Sequence, residues 1–171
     1  MGFDFSFRSL GDERELAELE SFLRSQSLDY PNYQDWVTRT KEELLDSYKT
    51  VILAFSGRTL VGDLIFQPHK LFTRVREIKN LRINPKLRGR YFGAFMLKQG
   101  EALERSSYDA IIGDIRSNQI EAINTFRSFG YEELVRAPLY EKGIDEVIMV
   151  KRFERTPNGF FIPIKRIFTL N

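Results

Sequence analysis

Residues Glu77 to Lys98 read EIKNLRINPKLRGRYFGAFMLK, and the periodicity changes halfway along. The first half alternates like a strand, with Ile78 and then Leu81 and Ile83 as apolar points before Asn84-Pro85. Pro85 lacks an N–H and biases Asn84 away from helix, so the strand stops there. After the basic turn Arg88-Gly89-Arg90, the spacing of Phe92, Phe95, Met96, Gln99 and Leu103 is that of one helix face. A strand that runs through a Gly-containing basic turn into a helix collects free backbone N–H groups and the positive end of a helix dipole at one spot. A phosphate or pyrophosphate suits that geometry.

At 171 residues the chain is most economically one domain, large enough to bury roughly two-thirds of its unfolded surface. Its 15 Phe and 42% hydrophobic content supply a well-filled core. The charged residues nearly cancel, to +2, which speaks against a generic nucleic-acid binder while leaving room for a local basic patch. There is no cysteine, so disulfides, thiolate metal sites and a Cys nucleophile are excluded, and no metal is expected. The start, MGFDFSFRSL, has no long apolar segment, and no run approaches ~18 apolar residues. A soluble, cytoplasmic protein with no membrane association is the expectation. Met1-Gly2 with Ser6 fits a short myristoylation pattern that chance often produces.

Working outward from the opening stretch, residues 3–8 alternate Phe3, Phe5 and Phe7 with Asp4, Ser6 and Arg8, a half-buried strand. Asp12 caps a helix through about Gln26, and a second helix runs from about Asp35 to Ser47. The link between them carries Tyr30 and Tyr33, with Trp36 just beyond; these either line an entrance or pack under the loop. Lys49–Ser56 and Thr59–Gln67 form a hairpin through Gly57-Arg58, closed by Pro68-His69-Lys70. Tyr108–Ile115 is a strand, and a helix from about Gln119 to Ser128, capped by Ser117 or Asn118, ends at Gly130. Tyr131–Arg136 and Asp145–Phe153 are strands joined by a loop holding Pro138, Tyr140 and Gly143. This order predicts an α/β domain over 1–153 with a mixed sheet and a strand–helix–strand crossover. An apolar extension, 154–171, is expected to dock on the domain or on a partner subunit.

Over roughly residues 3–153 the chain resembles the GNAT superfamily of N-acetyltransferases. The family's Gln/Arg-x-x-Gly-x-Gly/Ala motif is similar to Arg88-Gly89-Arg90-Tyr91-Phe92-Gly93. RSNQIEAINTFRSFGYEE resembles its Asn-containing cap, helix and Gly-aromatic pair, and DEVIMVKRF resembles its terminal strand. Tyr91 stands where the motif has its first Gly, the 118–130 segment is one residue longer than usual, and Phe126 occupies a position where many members have Tyr. The resemblance implies a mixed, mostly antiparallel sheet of about six to seven strands flanked by about four helices.

It also implies acetyl-coenzyme A as co-substrate, attacked by a primary amine of a small molecule or protein. The diphosphate would sit on the backbone of Arg88, Gly89, Arg90, Tyr91, Phe92, Gly93 and Ala94. The pantetheine arm would lie along the main chain of Leu81, Arg82 and Ile83, with Asn118 and Phe126 also at the cofactor. An ammonium cannot attack, so a base is needed. Glu77, eleven residues before Arg88, matches the catalytic Glu of the histone-acetylating branch. In a regular strand Glu77, Lys79, Leu81 and Ile83 would share a face, where burial would raise the Glu77 pKa; pairing with Arg76 or Lys79 would lower it. Asp114 is the second candidate base, and His69, the only His, is read as part of a surface turn.

Phe126 cannot protonate a leaving thiolate, so Tyr140, Tyr131 or Tyr91 would serve, or water would. A non-catalytic acyl-coenzyme A-binding or regulatory module is the alternative reading. A tRNA-acylating or nucleic-acid-binding member is disfavoured by the near-neutral charge. The chain is expected to be a monomer or a homodimer.

Overall fold

Two strands that are apolar along nearly their whole length fix the layers. In β2 (Thr50–Ser56) and β3 (Thr59–Pro68) almost every residue is buried, as expected of strands covered on both faces. Ile52, Ala54, Leu64 and Phe66 join one core, while Val51, Leu53, Phe55 and Ile65 join another on the opposite face. The second core is closed by α1 (Glu13–Ser25), through Leu16, Leu19 and Leu23, and by α2 (Tyr33–Leu45), through Val37 and Leu44. The first is closed by α3 (Phe92–Ala102), through Met96 and Leu97, and by α4 (Ile120–Ser128), through Ile123 and Phe126.

The computed structural model describes residues 4–26, 30–155 and 161–163. Met1-Gly2 and most of the 154–171 extension lie outside them. With β1 (Phe5–Ser9), β4 (Val75–Ile83), β5 (Ala110–Arg116), β6 (Glu132–Glu141) and β7 (Ile144–Arg155), the main sheet runs β1-β2-β3-β4-β5-β7-β6. Among the described strands only β4 and β5 are parallel, joined by the α3 crossover; the other pairs are antiparallel. A short β8 (Phe161–Pro163) returns antiparallel onto the end of β7, with Arg155 opposite Phe161.

Three expectations are corrected. The Pro138–Tyr140 segment belongs to β6, which turns directly at Gly143 (φ +90°) into β7. Pro138 is tolerated because β6 is an edge strand with a bulge between Ala137 and Glu141. The buried Glu146 carboxylate accepts the freed Leu139 N–H at 3.0 Å. Helix α4 has Gln119 as its N-cap residue, with no side-chain cap bond, so neither Ser117 nor Asn118 caps it. Phe95 is 57% exposed, because α3 turns Phe92, Met96, Leu97 and Gly100 inward instead.

Gly100 sets the distance from α3 to the sheet. A Cβ there would lie 2.4 Å from Phe66 Cζ and 2.8 Å from Leu64 Cδ2, and both rings and branches are held at the centre of the core. Gly100→Ala is expected to cost about 1–3 kcal/mol through overpacking, offset only in part by the better helix propensity of Ala. Urea denaturation measures it; a variant as stable as the parent would show that α3 is free to shift.

Candidate functional site

The parallel pair β4–β5 does not stay paired. Backbone pairing runs from Val75–Ala110 to Ile78–Gly113 and then ends. Beyond that point β4 continues to Ile83 against β3, and β5 continues to Arg116 against β7. The facing edges of residues 79–83 and 114–116 therefore diverge and leave main-chain groups without strand partners, which is where an extended ligand can pair. Ile78 through Ile83 and Gly113 through Arg116 line the resulting cleft of 1590 Å³, together with the start of α3, α4 and Tyr140.

The divergence coincides with a bulge. Ile65 pairs with Asn80 but Phe66 pairs with Ile78, so Lys79 is an extra residue on β4. The bulge exchanges the faces of the strand. Glu77 and Lys79 lie on the α1/α2 side, where Glu77 accepts from Gln67 Nε2 at 2.8 Å and pairs with Lys79 at 2.9 Å. After the bulge, Asn80 and Arg82 take that side, and Leu81 and Ile83 pack toward α3. Glu77, Lys79, Leu81 and Ile83 therefore do not share one face, contrary to the pattern of a regular strand.

At the far end of β4 the chain passes a 3-10 turn (Pro85–Leu87) and Gly89 (φ +72°) before α3. Tyr91 caps α3 in the left-handed region (φ +63°), with its side chain 78% exposed and no side-chain bond to the helix. This explains how a Tyr fits where a Gly is usual: only its backbone is turned toward the helix start. The first helical bond is Phe95 N–H to Tyr91 O, so the N–H groups of Phe92, Gly93 and Ala94 have no intrahelical acceptor. A Cβ at Gly93 would meet nothing closer than Leu81 Cδ2 at 4.0 Å, and one at Gly89 nothing within 4 Å. The glycines leave open space rather than fill a packing need. With Arg88 and Arg90 adjacent in sequence, this donor set suits a diphosphate.

Asp114, Tyr140 and Tyr30 meet at the other end of the opening. Tyr30 and Tyr140 contact edge to face at 5.3 Å, and the Arg116 guanidinium stacks on Tyr30 at 4.1 Å. Burial first, and then the Asp114 carboxylate, push the Tyr140 phenol far above its ordinary value, with Glu77 adding a smaller push. Tyr30 is raised for the same two leading reasons. Both phenols therefore keep their protons at neutral pH. Glu77 is close enough to be felt by Tyr140 yet does not line the cleft. Asn118 and Phe126 line it; Phe126 is buried, edge-on to Tyr131 at 4.9 Å. Tyr131 is buried away from the opening. His69 stands in a surface turn, its Nδ1 accepting the N–H groups of Leu71 and Phe72 at 3.1 Å. In the α1–α2 link Tyr30 faces the cleft, whereas Tyr33 and Trp36, in the first turn of α2, border it and also pack on the α1/α2 core.

One polar group escaped the sequence reading. Asp63, in the middle of β3, is fully buried, with Oδ2 accepting from Asn80 Nδ2 at 2.5 Å and Oδ1 without a partner among the described residues. A carboxylate inside the apolar run VGDLIF was the available signal. Burial raises it from 3.8 to about 7, against the opposing effects of Asn80 and Arg82. A carboxyl that holds its proton more tightly when folded stabilises the fold at low pH and loses that contribution as pH rises through the folded value. Between about pH 4 and pH 7 this amounts to on the order of 4 kcal/mol. Asp63→Asn is expected to flatten the stability profile over that window in urea titrations. An unchanged slope would mean that Asp63 is charged in the fold.

No family model matches the chain, and no curated relative does. Solved structures do. A GNAT-family protein from Desulfovibrio desulfuricans superimposes with TM-score 0.76 at 11% identity, covering 87% of this chain and 99% of that one. A Salmonella typhimurium protein solved with its cofactor acetyl-CoA gives 0.70 at 14% identity, over 87% and 94%. The ribosomal-protein-S18-alanine N-acetyltransferase of Escherichia coli gives 0.70 at 16% identity, over 98% and 99%. The chain has the fold of the GNAT acetyltransferases. Among the described residues, no helix is long and apolar enough to cross a membrane.

Proposed function

We propose that the protein is an acetyl-coenzyme A-dependent N-acetyltransferase acting on a primary amine of a small molecule or a protein. One observation carries this reading: the β4–β5 opening joins a helix start that has no side-chain cap bond at one end to a carboxylate and two protonated phenols at the other. The residues fit the coenzyme. The N–H groups from Gly89 to Ala94, with Arg88 and Arg90, would take the diphosphate, and the edge of Leu81, Arg82 and Ile83, which has no strand partner on the β5 side, would take the pantetheine amides. When bound, the thioester supplies the acyl group and a thiolate leaving group.

The chain's own groups then divide the remaining work. Asp114 takes a proton from the incoming ammonium, directly or through water. Tyr140, protonated and beside Asp114, supplies the proton that Phe126 cannot, in the general-acid role. Glu77 stays tied to Gln67 and Lys79 and shapes the field around Tyr140. A main-chain N–H near Leu81 serves as the oxyanion donor. Purified protein with acetyl-coenzyme A and a panel of amines is expected to release free thiol in proportion to acetylated amine. Tight coenzyme binding without thiol release on any amine would instead favour a non-catalytic binding module.

A further inference from the structure

We infer that the acceptor amine also carries a carboxylate, and that Arg82 holds it on the α1/α2 side of the cleft. The inference rests on the reading of the cleft as an acyl-transfer site and adds the class of its acceptor. Arg82 lines the opening yet is 6% exposed. Its Nε donates to Asn80 Oδ1 at 3.1 Å, and Nη1 donates to the carbonyl of Gln26 at the end of α1. Nη2 is buried and has no hydrogen-bond partner among the described residues. Asp63 stands opposite Arg82 across the β3–β4 pair, but its Oδ2 accepts from Asn80 Nδ2. Arg82 makes no ion pair among the described residues.

A buried guanidinium with one free N–H edge and no counter-charge is costly unless a ligand oxygen completes it. With Asp63 raised to about 7, roughly half of it keeps its proton near neutral pH, and its Oδ2 is taken by Asn80, so the Arg82 charge is only partly offset from behind. The surroundings point the same way. Arg39 lines the same mouth and is exposed, whereas Lys79 is neutralised by Glu77. Tyr33 covers the guanidinium from one side at 4.9 Å, and this fixes its plane. Since Nε and Nη1 are engaged, Nη2 is the one guanidinium nitrogen left to take a carboxylate oxygen. A polyamine would bring a second ammonium against this charge and is disfavoured. The carboxylate then lies toward Arg82, and the amine lies toward Asp114, Tyr140 and Tyr30.

The test uses the protein saturated with coenzyme A and titrates three matched series by calorimetry: unbranched ω-amino acids from glycine to 6-aminohexanoate, their amides, and alkylamines of equal length. The best amino acid is expected to bind about tenfold or more tighter than its amide, and Arg82→Met is expected to bring that ratio close to one. Equal affinity for acid and amide, or tighter binding of a polyamine, overturns the inference without any need for the variant to fold. Turnover is measured on the same compounds. Preference for the acid without thiol release would contradict the transferase reading while leaving the carboxylate site standing; release with preference for the amide would do the reverse.

Discussion

Asp114→Asn is expected to lower turnover of an acceptor amine by roughly a hundred- to ten-thousandfold near neutral pH, with coenzyme binding unchanged. Asp114 lies just past the last paired residues of β4 and β5, on the rim of the opening. It is the carboxylate with the strongest charge effect on Tyr140, ahead of Glu77. Asn keeps the size and polarity of the side chain but cannot accept a proton. The loss should shrink as pH rises toward the pKa of the amine, because a growing share of the amine then arrives unprotonated. Glu77→Gln is expected to have a much smaller effect, since Glu77 is held by Gln67 and Lys79. Full activity of Asp114→Asn across the pH range would remove the base assignment, and a large loss in Glu77→Gln would transfer it.

Gly93→Glu is expected to weaken acetyl-coenzyme A binding by on the order of a hundredfold, about 3 kcal/mol. Residue 93 is in the first turn of α3, where the free N–H groups of Phe92, Gly93 and Ala94 converge. A carboxylate there competes for those donors and repels a diphosphate. The same substitution should not unfold the protein. A Cβ at this position meets only Leu81 Cδ2, at 4.0 Å, and an acidic residue in the first turn complements the helix dipole. Thermal denaturation therefore serves as the control: weaker binding with an unchanged melting temperature places the diphosphate at α3. Unchanged binding would place it elsewhere.

Much of this was legible in the chain because the signals were local. Pro85 and Gly89 punctuate the strand-to-helix passage by their own backbone chemistry, so the β4–turn–α3 unit could be read without its neighbours. Asp12 capping α1 is equally local, its side chain accepting from the Glu15 N–H at 2.9 Å. What was not legible depended on partners distant in sequence. The extra residue at Lys79 is defined only by register against β3, and it moved Leu81 and Ile83 to the face opposite Glu77. Pro138 and Gly143 both read as loop residues, yet Pro138 sits on an edge strand whose position depends on β7. The free edge of Arg82 depends on the end of α1 and on Asn80, neither of which the composition of β4 reveals.

The central claim is that the β4–β5 opening and the α3 start together hold coenzyme A, and a crystal structure with coenzyme A bound tests it most directly. The diphosphate is predicted on the main-chain N–H groups between Gly89 and Ala94, with the arm paired to the edge of Leu81–Ile83 and the sulfur within reach of Tyr140 and Asp114. Density for the coenzyme outside the opening, or with the diphosphate away from α3, would contradict it.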